Sequence, residues 1–504
     1  MNARSKGIAL SYIYTVMNTV IGLFMSAYII RIIGQTEYGI YQSMTAFASY
    51  LGLVECGTAT IMARNVSMCK IEHNENDKLI RNISTIWTTA IVQSILMLVV
   101  AIVFYFSIGI IYQTSMTISQ IEYSKILFTF VIVKIITSFC TQALNGILLG
   151  FEHYSVSTLV SIVYLTVRTG VLIVLLIYKP YAIVLVIIDA ILAVFMLLYT
   201  VLYCKIQFNV SLSFKYFDAK VFREVLPLAM AMFLQVIINM ANNNVDKFVI
   251  GILMSPEAVA VYSIGMYIYT TFSSLTVIPV GMYMPKIAQD IGEGKANDEL
   301  MCALIQPCRL VFLIGGLILF GFGSIGKQFI TIVYGKDYLE AWIIAIIVMV
   351  PMLIHMSNAV LENVLTILNK RLFLSICLLL TTMANIILTI WWIQTRGIVG
   401  AAAATAICTL LGQVILMNMY YERVIHIRIS RLFISIFKGI LPSLISALIF
   451  SVIMTYFIHN IYLSFVVGGI VFMSVFAICM MLFGANEYEK ELIKNIIKRK
   501  KLRV

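Results

Sequence analysis

The sequence predicts an all-α polytopic membrane protein with about 14 transmembrane helices. Of its 504 residues, 61% are hydrophobic and only 12% are charged, whereas a soluble domain carries roughly 25% charged residues. The mean hydropathy of +0.99 excludes a soluble globular protein, a disordered chain and a secreted disulfide scaffold. Segments such as 171–177 are apolar at every position, whereas the strands of a transmembrane barrel alternate apolar and polar residues. The bundle is therefore expected to be helical.

Apolar runs bounded by polar turns predict each helix in order, because about 20 apolar residues span the hydrocarbon core of a bilayer. The first six predicted helices cover residues 8–32, 38–63, 84–107, 122–149, 156–178 and 181–204. After a polar segment, six more cover residues 225–253, 258–284, 307–332, 340–366, 373–393 and 398–421. Two further helices, 435–457 and 462–483, precede a basic tail.

The distribution of basic residues predicts the orientation in the membrane. With the N-terminus in the cytoplasm, 25 of the 35 Lys and Arg residues fall in cytoplasmic segments, six in external segments and four inside helices. Cytoplasmic loops of membrane proteins carry such an excess. We therefore expect both termini and residues 65–82 to be cytoplasmic, and residues 109–120 to be external. The net charge of +12 reflects this topology and does not indicate a nucleic-acid partner.

A weak internal repeat predicts two lobes. Glu37 precedes Glu257 by 220 residues, each at the start of a predicted helix, and Asn145 precedes Asn363 by 218. Structural repeats are typical of transporters, whose substrate path lies between the repeats. The predicted units are an N-terminal six-helix lobe (1–204), a cytoplasmic linker (205–224), a C-terminal six-helix lobe (225–421), two additional transmembrane helices (422–485) and a basic cytoplasmic tail (486–504).

Four segments resemble those of a known family. Their shared residues are Arg31, Gly34, Glu37, Tyr38 and Gly39, then Glu55, Cys56, Gly57 and Arg64, then Asp246, Lys247, Ile250, Gly251, Ala260, Val261 and Tyr262, and finally Gly397 and Gly400. On these segments, and over most of the chain through about residue 485, the sequence resembles the Wzx-type polysaccharide repeat-unit flippases of O-antigen and capsule synthesis. That family lies within the multidrug/oligosaccharidyl-lipid/polysaccharide exporter superfamily, with the MATE exporters and the lipid II flippase MurJ.

The resemblance implies a fold and an activity. It implies two six-helix lobes in a V-shaped bundle, which flips undecaprenyl-pyrophosphate-linked oligosaccharide repeat units from the cytoplasmic to the external leaflet by alternating access. Coupling to a cation gradient and residence in a bacterial cytoplasmic (inner) membrane are further expectations. The expected partners are the lipid-linked oligosaccharide, membrane lipids and a polysaccharide polymerase, with no cofactor.

Three charged residues inside predicted helices are the first candidates for a substrate site. At about 1.5 Å per residue, Lys134, Arg168 and Asp189 lie about 18, 15 and 12 Å from the external face. An intramembrane charge is costly and usually faces a cavity or a partner. One hypothesis is a cationic patch that receives pyrophosphate or an acidic sugar, with Arg suited to two-pronged phosphate contacts. The other is an internally paired set, such as Arg168 with Asp189, which fastens two helices together.

The remaining candidates come from the matched segments and from helix 225–253. Arg31, Arg64 and Lys247 join Lys134 and Arg168 as expected substrate-binding residues. Glu55 and Asp246 join Asp189 as candidates for cation coupling or ion pairing. Helix 225–253 also carries four asparagines, and such a polar span is expected to line water, although interhelical hydrogen bonding is the alternative.

The motifs of several other classes are missing from the sequence. There is no GxxxxGK[ST] sequence of a nucleotide-binding loop, and the nine cysteines form no CxxC pair. We therefore expect neither an enzyme nor a metal site. Three alternatives stay open: a cation-coupled drug or metabolite exporter of the same fold, a lipid II flippase, and a membrane-embedded glycosyltransferase or polymerase. The last should have a large external loop, whereas the longest expected here has only about fifteen residues.

Overall fold

The structure is a computed structural model that describes residues 3–55, 57–71, 76–208, 210, 212–293, 297–368, 370 and 372–486. All regular secondary structure in these residues is helical, which confirms the all-α prediction. The chain forms two compact units, Met1–Ser263 and Ile264–Val504. The predicted basic tail, 486–504, lies outside the described residues from position 487 onward.

The first unit is a bundle of eight long helices and the start of a ninth. These are α1 (Ala3–Ile33), α2 (Gln35–Ser49), α3 (Thr58–Ile71), α4 (Asn76–Ile111), α5 (Ile118–Gly150), α6 (Tyr154–Tyr178), α7 (Ala182–Phe208), α8 (Ala219–Leu253) and α9 (Pro256–Thr276). Within it, α5 packs against α2, α3, α4 and α7 and therefore lies at the centre of the unit.

The second unit continues from the end of α9. Its helices are α10 (Ile278–Gly292), α11 (Asn297–Val333), α12 (Glu340–Ser357), α13 (Ala359–Ile367), α14 (Leu372–Cys408), α15 (Met417–Ile425), α16 (Ile429–Phe437), α17 (Ile440–Phe457) and α18 (Ile461–Cys479). Two π-helical segments, Thr409–Leu416 and Met480–Gly484, extend α14 and α18.

The number of membrane-spanning segments agrees with the prediction of about 14. Twelve helices of the described chain are long and apolar enough to cross a membrane. One of them, Leu372–Ile425, has 54 residues and holds a non-helical residue, Gly397 (φ 61°, ψ −148°), so it is long enough for two crossings. The polar helix α8 has 35 residues, which is also sufficient length for one crossing. The polytopic membrane architecture is therefore confirmed, and the count is approximate.

The predicted helix 38–63 is broken in the structure. An α-helix ends at Ser49 and is followed by a 3₁₀ turn (Tyr50–Val54). A second α-helix begins at Thr58. Between the two parts, Glu55 is extended (φ −76°, ψ 122°) and Gly57 has φ of 67°. Glycine adopts such a positive φ without steric cost. The predictions 258–284 and 340–366 are likewise divided. The first breaks at Val277, two residues before Pro279, which has no backbone N–H to donate. The second breaks at Asn358.

Close approaches at glycines bring α3 and α8 into the first unit. A Cβ added to Gly146 of α5 would lie 2.5 Å from the carbonyl oxygen of Ala59, so α5 packs directly on the backbone of α3. A Cβ on Gly57 would lie 2.7 Å from the Cβ of Met232 on α8. Small residues permit such backbone approaches in membrane helices. Helix α8, expected to open the C-terminal lobe, thus packs within the first unit, and the predicted lobe boundaries stay predictions.

Candidate functional site

The carboxylate of Asp189 is the centre of a buried charge cluster in the first unit. Nε of Arg168 donates to Oδ1 of Asp189 at 2.5 Å, and Nη2 donates to Oδ2 at 3.1 Å. Nζ of Lys134 donates to the same Oδ2 at 2.7 Å. The side chain of Asp189 is 0% exposed, that of Arg168 is 23% exposed and that of Lys134 is 32% exposed. The two cations are thus the part of the cluster that is accessible from outside the protein.

Three consecutive helices position these side chains. Lys134 lies on α5, Arg168 on α6 and Asp189 on α7, and each of the three helices packs against the other two. The pairing of Arg168 with Asp189, one of the two sequence hypotheses, is present. Lys134 shares the same carboxylate, which the sequence did not predict. These three side chains together carry one net positive charge.

Two tyrosines border the cluster and were missed by the sequence analysis. The side chains of Tyr41 and Tyr164 lie close enough to both Lys134 and Arg168 to interact with them electrostatically. Tyr164 precedes Arg168 by one helical turn on α6, a spacing that could have indicated its proximity.

Glu37 caps the N-terminus of α7, the helix that carries Asp189. Its Oε2 accepts hydrogen bonds from the hydroxyl of Tyr123 (2.7 Å) and from the backbone N–H of Ala182 (2.9 Å), the first residue of α7. The hydroxyl of Tyr123 also accepts from the N–H of Ile183 (3.1 Å). A carboxylate at a helix N-terminus is stabilised by the unpaired N–H groups and the helix dipole. Asp189 follows seven residues, or about two turns, after Ala182.

Asp246 and Lys247 are adjacent on α8 but have different surroundings. Asp246 is 5% exposed, and its Oδ2 accepts a 2.7 Å hydrogen bond from the hydroxyl of Tyr262 on α9. Lys247 is half-buried. The rival explanation for the polarity of this helix, interhelical hydrogen bonding, therefore applies to Asp246. The side chains of Asn239, Asn242 and Asn243 lie outside the described part of the structure.

The other three predicted residues lie elsewhere in the first unit. Glu55 is half-buried at the break between the 3₁₀ turn and α3. Arg31 is exposed in the last turn of α1, and Arg64 is exposed on α3. Their roles, like that of Lys247, stay predictions. Among the residues that the structure describes, no group of three His, Cys, Asp or Glu side chains could hold a metal ion.

Arg309 is a buried cation of the second unit with a structural role. It is 5% exposed, and its Nη1 donates to the carbonyl oxygens of Ser435 (2.8 Å) and Lys438 (2.9 Å) while Nη2 donates to that of Gly484 (2.6 Å). These carbonyls lie at the C-terminal ends of α16 and of the segment after α18, where helices carry partial negative charge. Arg309 thus joins α11 to two helix ends.

Comparison with known sequences identifies one family. The sequence profile described as "Polysaccharide biosynthesis protein" matches residues 5–290, which is more than half of the chain. Comparison with the curated proteins gives no match.

Comparison with solved structures identifies the fold. A structure described as lipid II flippase MurJ in an inward closed conformation is similar, with a TM-score of 0.71 and 15% identity over 96% of this chain and 100% of that chain. An inward-facing multidrug resistance MATE family transporter of the MOP superfamily has a TM-score of 0.60 and 12% identity, over 82% and 95%. A MOP superfamily transporter from Pyrococcus furiosus has a TM-score of 0.50 and 12% identity, over 86% and 94%. The chain therefore has the fold that these transporters share.

Proposed function

This chain belongs to the family of polysaccharide biosynthesis proteins, and on that premise we propose that it flips undecaprenyl-pyrophosphate-linked oligosaccharide repeat units across a bacterial cytoplasmic membrane. The family resemblance noted in the sequence is confirmed, and the fold is that of flippases and transporters. The proposed direction is from the cytoplasmic to the external leaflet, for assembly of a surface polysaccharide such as O-antigen or capsule.

The main observation behind this proposal is that Lys134 and Arg168 share the carboxylate of Asp189. Two cations face one anion, so the cluster retains a positive charge where charges are expensive to bury. A substrate diphosphate, which is anionic, would be attracted to that charge. A cationic drug, the cargo of the alternative exporter, would instead be repelled by it. The charge balance therefore favours an anionic cargo.

Lys134 and Arg168 have hydrogen-bond donors beyond those that Asp189 accepts. A guanidinium has five N–H donors and an ammonium three, and Asp189 accepts two from Arg168 and one from Lys134. We assign the further donors to the phosphate oxygens of the substrate, with Arg168 making a two-pronged contact and Lys134 acting as a point charge. Asp189 then holds both cations in position between transport cycles.

The remaining roles follow from the sequence candidates. We assign Arg31, Arg64 and Lys247 to the path of the anionic head group, and Glu55 and Asp246 to cation coupling. Glu55 lies at a break in a membrane helix, where backbone polar groups are freed from the helical pattern and can take part in ion binding. Both termini would be cytoplasmic, as the excess of basic residues indicates. A polysaccharide polymerase would receive the flipped units.

The experiment measures flipping in proteoliposomes that contain the purified protein and a fluorescent undecaprenyl-pyrophosphate-linked oligosaccharide. Arg168→Ala and Lys134→Ala should each slow flipping about tenfold or more, because a hydrogen bond to a charged group contributes about 1.5–3 kcal/mol. Arg168→Lys should have an intermediate rate, since the charge is retained and the two-pronged contact is lost. Lys179→Ala, at an exposed position after α6, is the matched control and should flip at the wild-type rate.

Wild-type flipping rates in both alanine variants, at equal reconstituted protein, would contradict the proposal. Uptake of a cationic dye by the wild-type protein, with no flipping of the lipid-linked oligosaccharide, would establish the exporter alternative instead.

A further inference from the structure

A cleft separate from the Asp189 cluster lies between α3, α4 and the first turns of α8. It contains two cavities, a polar one of about 680 Å³ and an apolar one of about 260 Å³. The charged residues that line the polar cavity are Asp77, Lys78, Arg81, Asp218, Lys220 and Glu224. The apolar cavity is lined mainly by aliphatic side chains, among them Ile61, Ile86, Val92, Val225, Leu226 and Ala229.

The two cavities follow one another along the same faces of the same helices. On α3 the lining residues pass from Thr58 and Ile61 in the apolar cavity to Asn65 and Met68 in the polar one. These spacings of three and four residues keep the side chains on one helix face. The same succession occurs on α4, where Thr89, Ile86 and Thr85 are followed by Asn82, Arg81 and Lys78. The cavities therefore adjoin along these helix faces, as a charged end and an apolar end of one cleft.

Hydrogen bonds between the helices hold the cleft in shape. The backbone N–H of Asp218 donates to Oγ1 of Thr85 (2.9 Å), where the polar and apolar ends meet. Nδ2 of Asn82 donates to Sγ of Cys69 (3.1 Å), and Oγ1 of Thr58 donates to Oε1 of Gln93 (3.0 Å). Thr85 and Asn82 are buried, at 1% and 7% exposure. The shape of the cleft is thus determined by contacts within the first unit.

The two ends match the two parts of a membrane lipid. At the apolar end, Val92, Leu226 and Met230 are 59%, 44% and 59% exposed, so this end opens at an apolar part of the protein surface, which is suited to an acyl chain. The charged end holds three basic and three acidic side chains. A head group with both a phosphate and an ammonium group can pair with side chains of both signs, whereas a diphosphate can pair only with the basic ones.

We propose that this cleft binds a bilayer phospholipid whose head group carries a phosphate and a primary ammonium group. The phosphate lies beside Arg81 and Lys220, the ammonium beside Asp77 and Glu224, and one acyl chain occupies the apolar cavity. The site does not depend on the flippase proposal, since none of its residues is assigned to the transported substrate.

Native mass spectrometry of the full-length protein tests the proposal, with lipids added one at a time. Dioleoyl phosphatidylethanolamine should be retained more strongly than phosphatidylglycerol, which lacks an ammonium, and than phosphatidylcholine, whose quaternary ammonium has no N–H donor. Arg81→Ala should lower retention of both phosphatidylethanolamine and phosphatidylglycerol, by about fivefold. Glu224→Gln should lower retention of phosphatidylethanolamine alone. Ala229→Phe, which fills the apolar cavity, should lower retention of all three lipids.

Arg223→Ala is the matched control, because Arg223 is exposed on the same turn of α8 and does not line the cleft. Equal losses in Arg81→Ala and Arg223→Ala would overturn the proposal, as would equal retention of the three lipids by the wild-type protein. Copurification of a polyprenyl pyrophosphate that Arg81→Ala releases would assign the cleft to the transport substrate and would likewise overturn it. The lipid retention measured by mass spectrometry does not depend on whether the protein flips the oligosaccharide in proteoliposomes.

Discussion

Lys134 donates a 2.7 Å hydrogen bond to Oδ2 of Asp189, an oxygen that Arg168 also approaches at 3.1 Å. The sequence offered a cationic patch and an internal ion pair as alternatives. In the structure the ion pair that joins α6 to α7 is present and Lys134 is a second cation on the same carboxylate, whereas a role of this cluster in substrate binding stays a prediction. The consequences for stability differ among the three residues.

We expect Asp189→Ala to reduce protein abundance in the membrane far more than Arg168→Ala or Lys134→Ala. Removing Asp189 leaves two partly buried cations without their shared carboxylate, and an uncompensated buried charge costs about 3–5 kcal/mol. Each cation variant retains a neutral pair with Asp189. Quantitative immunoblotting of isolated membranes measures the difference.

The double variant Lys134→Ala/Arg168→Ala distinguishes shared pairing from independent effects. The double variant leaves Asp189 buried without either cation. The membrane abundance of this variant should therefore fall well below the product of the fractional abundances of the two single variants. An abundance equal to that product would show that the two cations do not share the carboxylate.

The contact of Glu37 with Tyr123 and Ala182 predicts a stability effect away from the charge cluster. Glu37→Ala should lower the stability of the detergent-solubilised protein by about 1–3 kcal/mol, because it removes the acceptor of the half-buried Tyr123 hydroxyl and of the Ala182 N–H at the start of α7. Thermal unfolding followed by tryptophan fluorescence is the measurement. Glu122→Ala, an exposed acid on α5, should have no effect, and a Tm equal to that of the wild type in Glu37→Ala would refute this role.

The structural role of Arg309 predicts that replacing it lowers the stability of the protein, even where the new side chain keeps the positive charge. Arg309→Met removes donors from three carbonyl oxygens and should destabilise the second unit by about 3 kcal/mol or more. Arg309→Lys should recover only part of this loss, since a single ammonium cannot reproduce the planar fork. The control is Arg431→Met at an exposed position on α16. Equal Tm values for the two methionine variants would contradict the assignment.

The orientation inferred from the basic residues is tested by labelling single cysteines. In a variant without the nine native cysteines, a cysteine placed in 109–120 should react with an impermeant maleimide in intact cells. Cysteines placed in 65–82 or 486–504 should react only after the membrane is opened. Labelling of 109–120 only after opening would reverse the proposed topology.

Much of the fold could be predicted because its determinants are local. A run of about 20 apolar residues must span the bilayer as a helix, since no water is present there to satisfy the backbone. The predicted 122–149, 156–178 and 181–204 therefore agree closely with α5, α6 and α7. The break at Glu55 was not predicted, because Gly57 lies inside an otherwise helical pattern, and the local sequence shows neither its positive φ nor its close approach to Met232.

The sequence by itself determined that this protein is helical, that it crosses the membrane many times and that Lys134, Arg168 and Asp189 lie at similar depth. These properties follow from hydropathy, from the helix rise and from the position of each charge along its own helix. Only the tertiary structure decided that one carboxylate serves two cations. Lys134 and Arg168 are 55 and 21 residues from Asp189 in the chain, and such pairs form only once packing brings α5, α6 and α7 together. Burial then requires the charges to pair, because the bilayer interior offers no water in place of a partner.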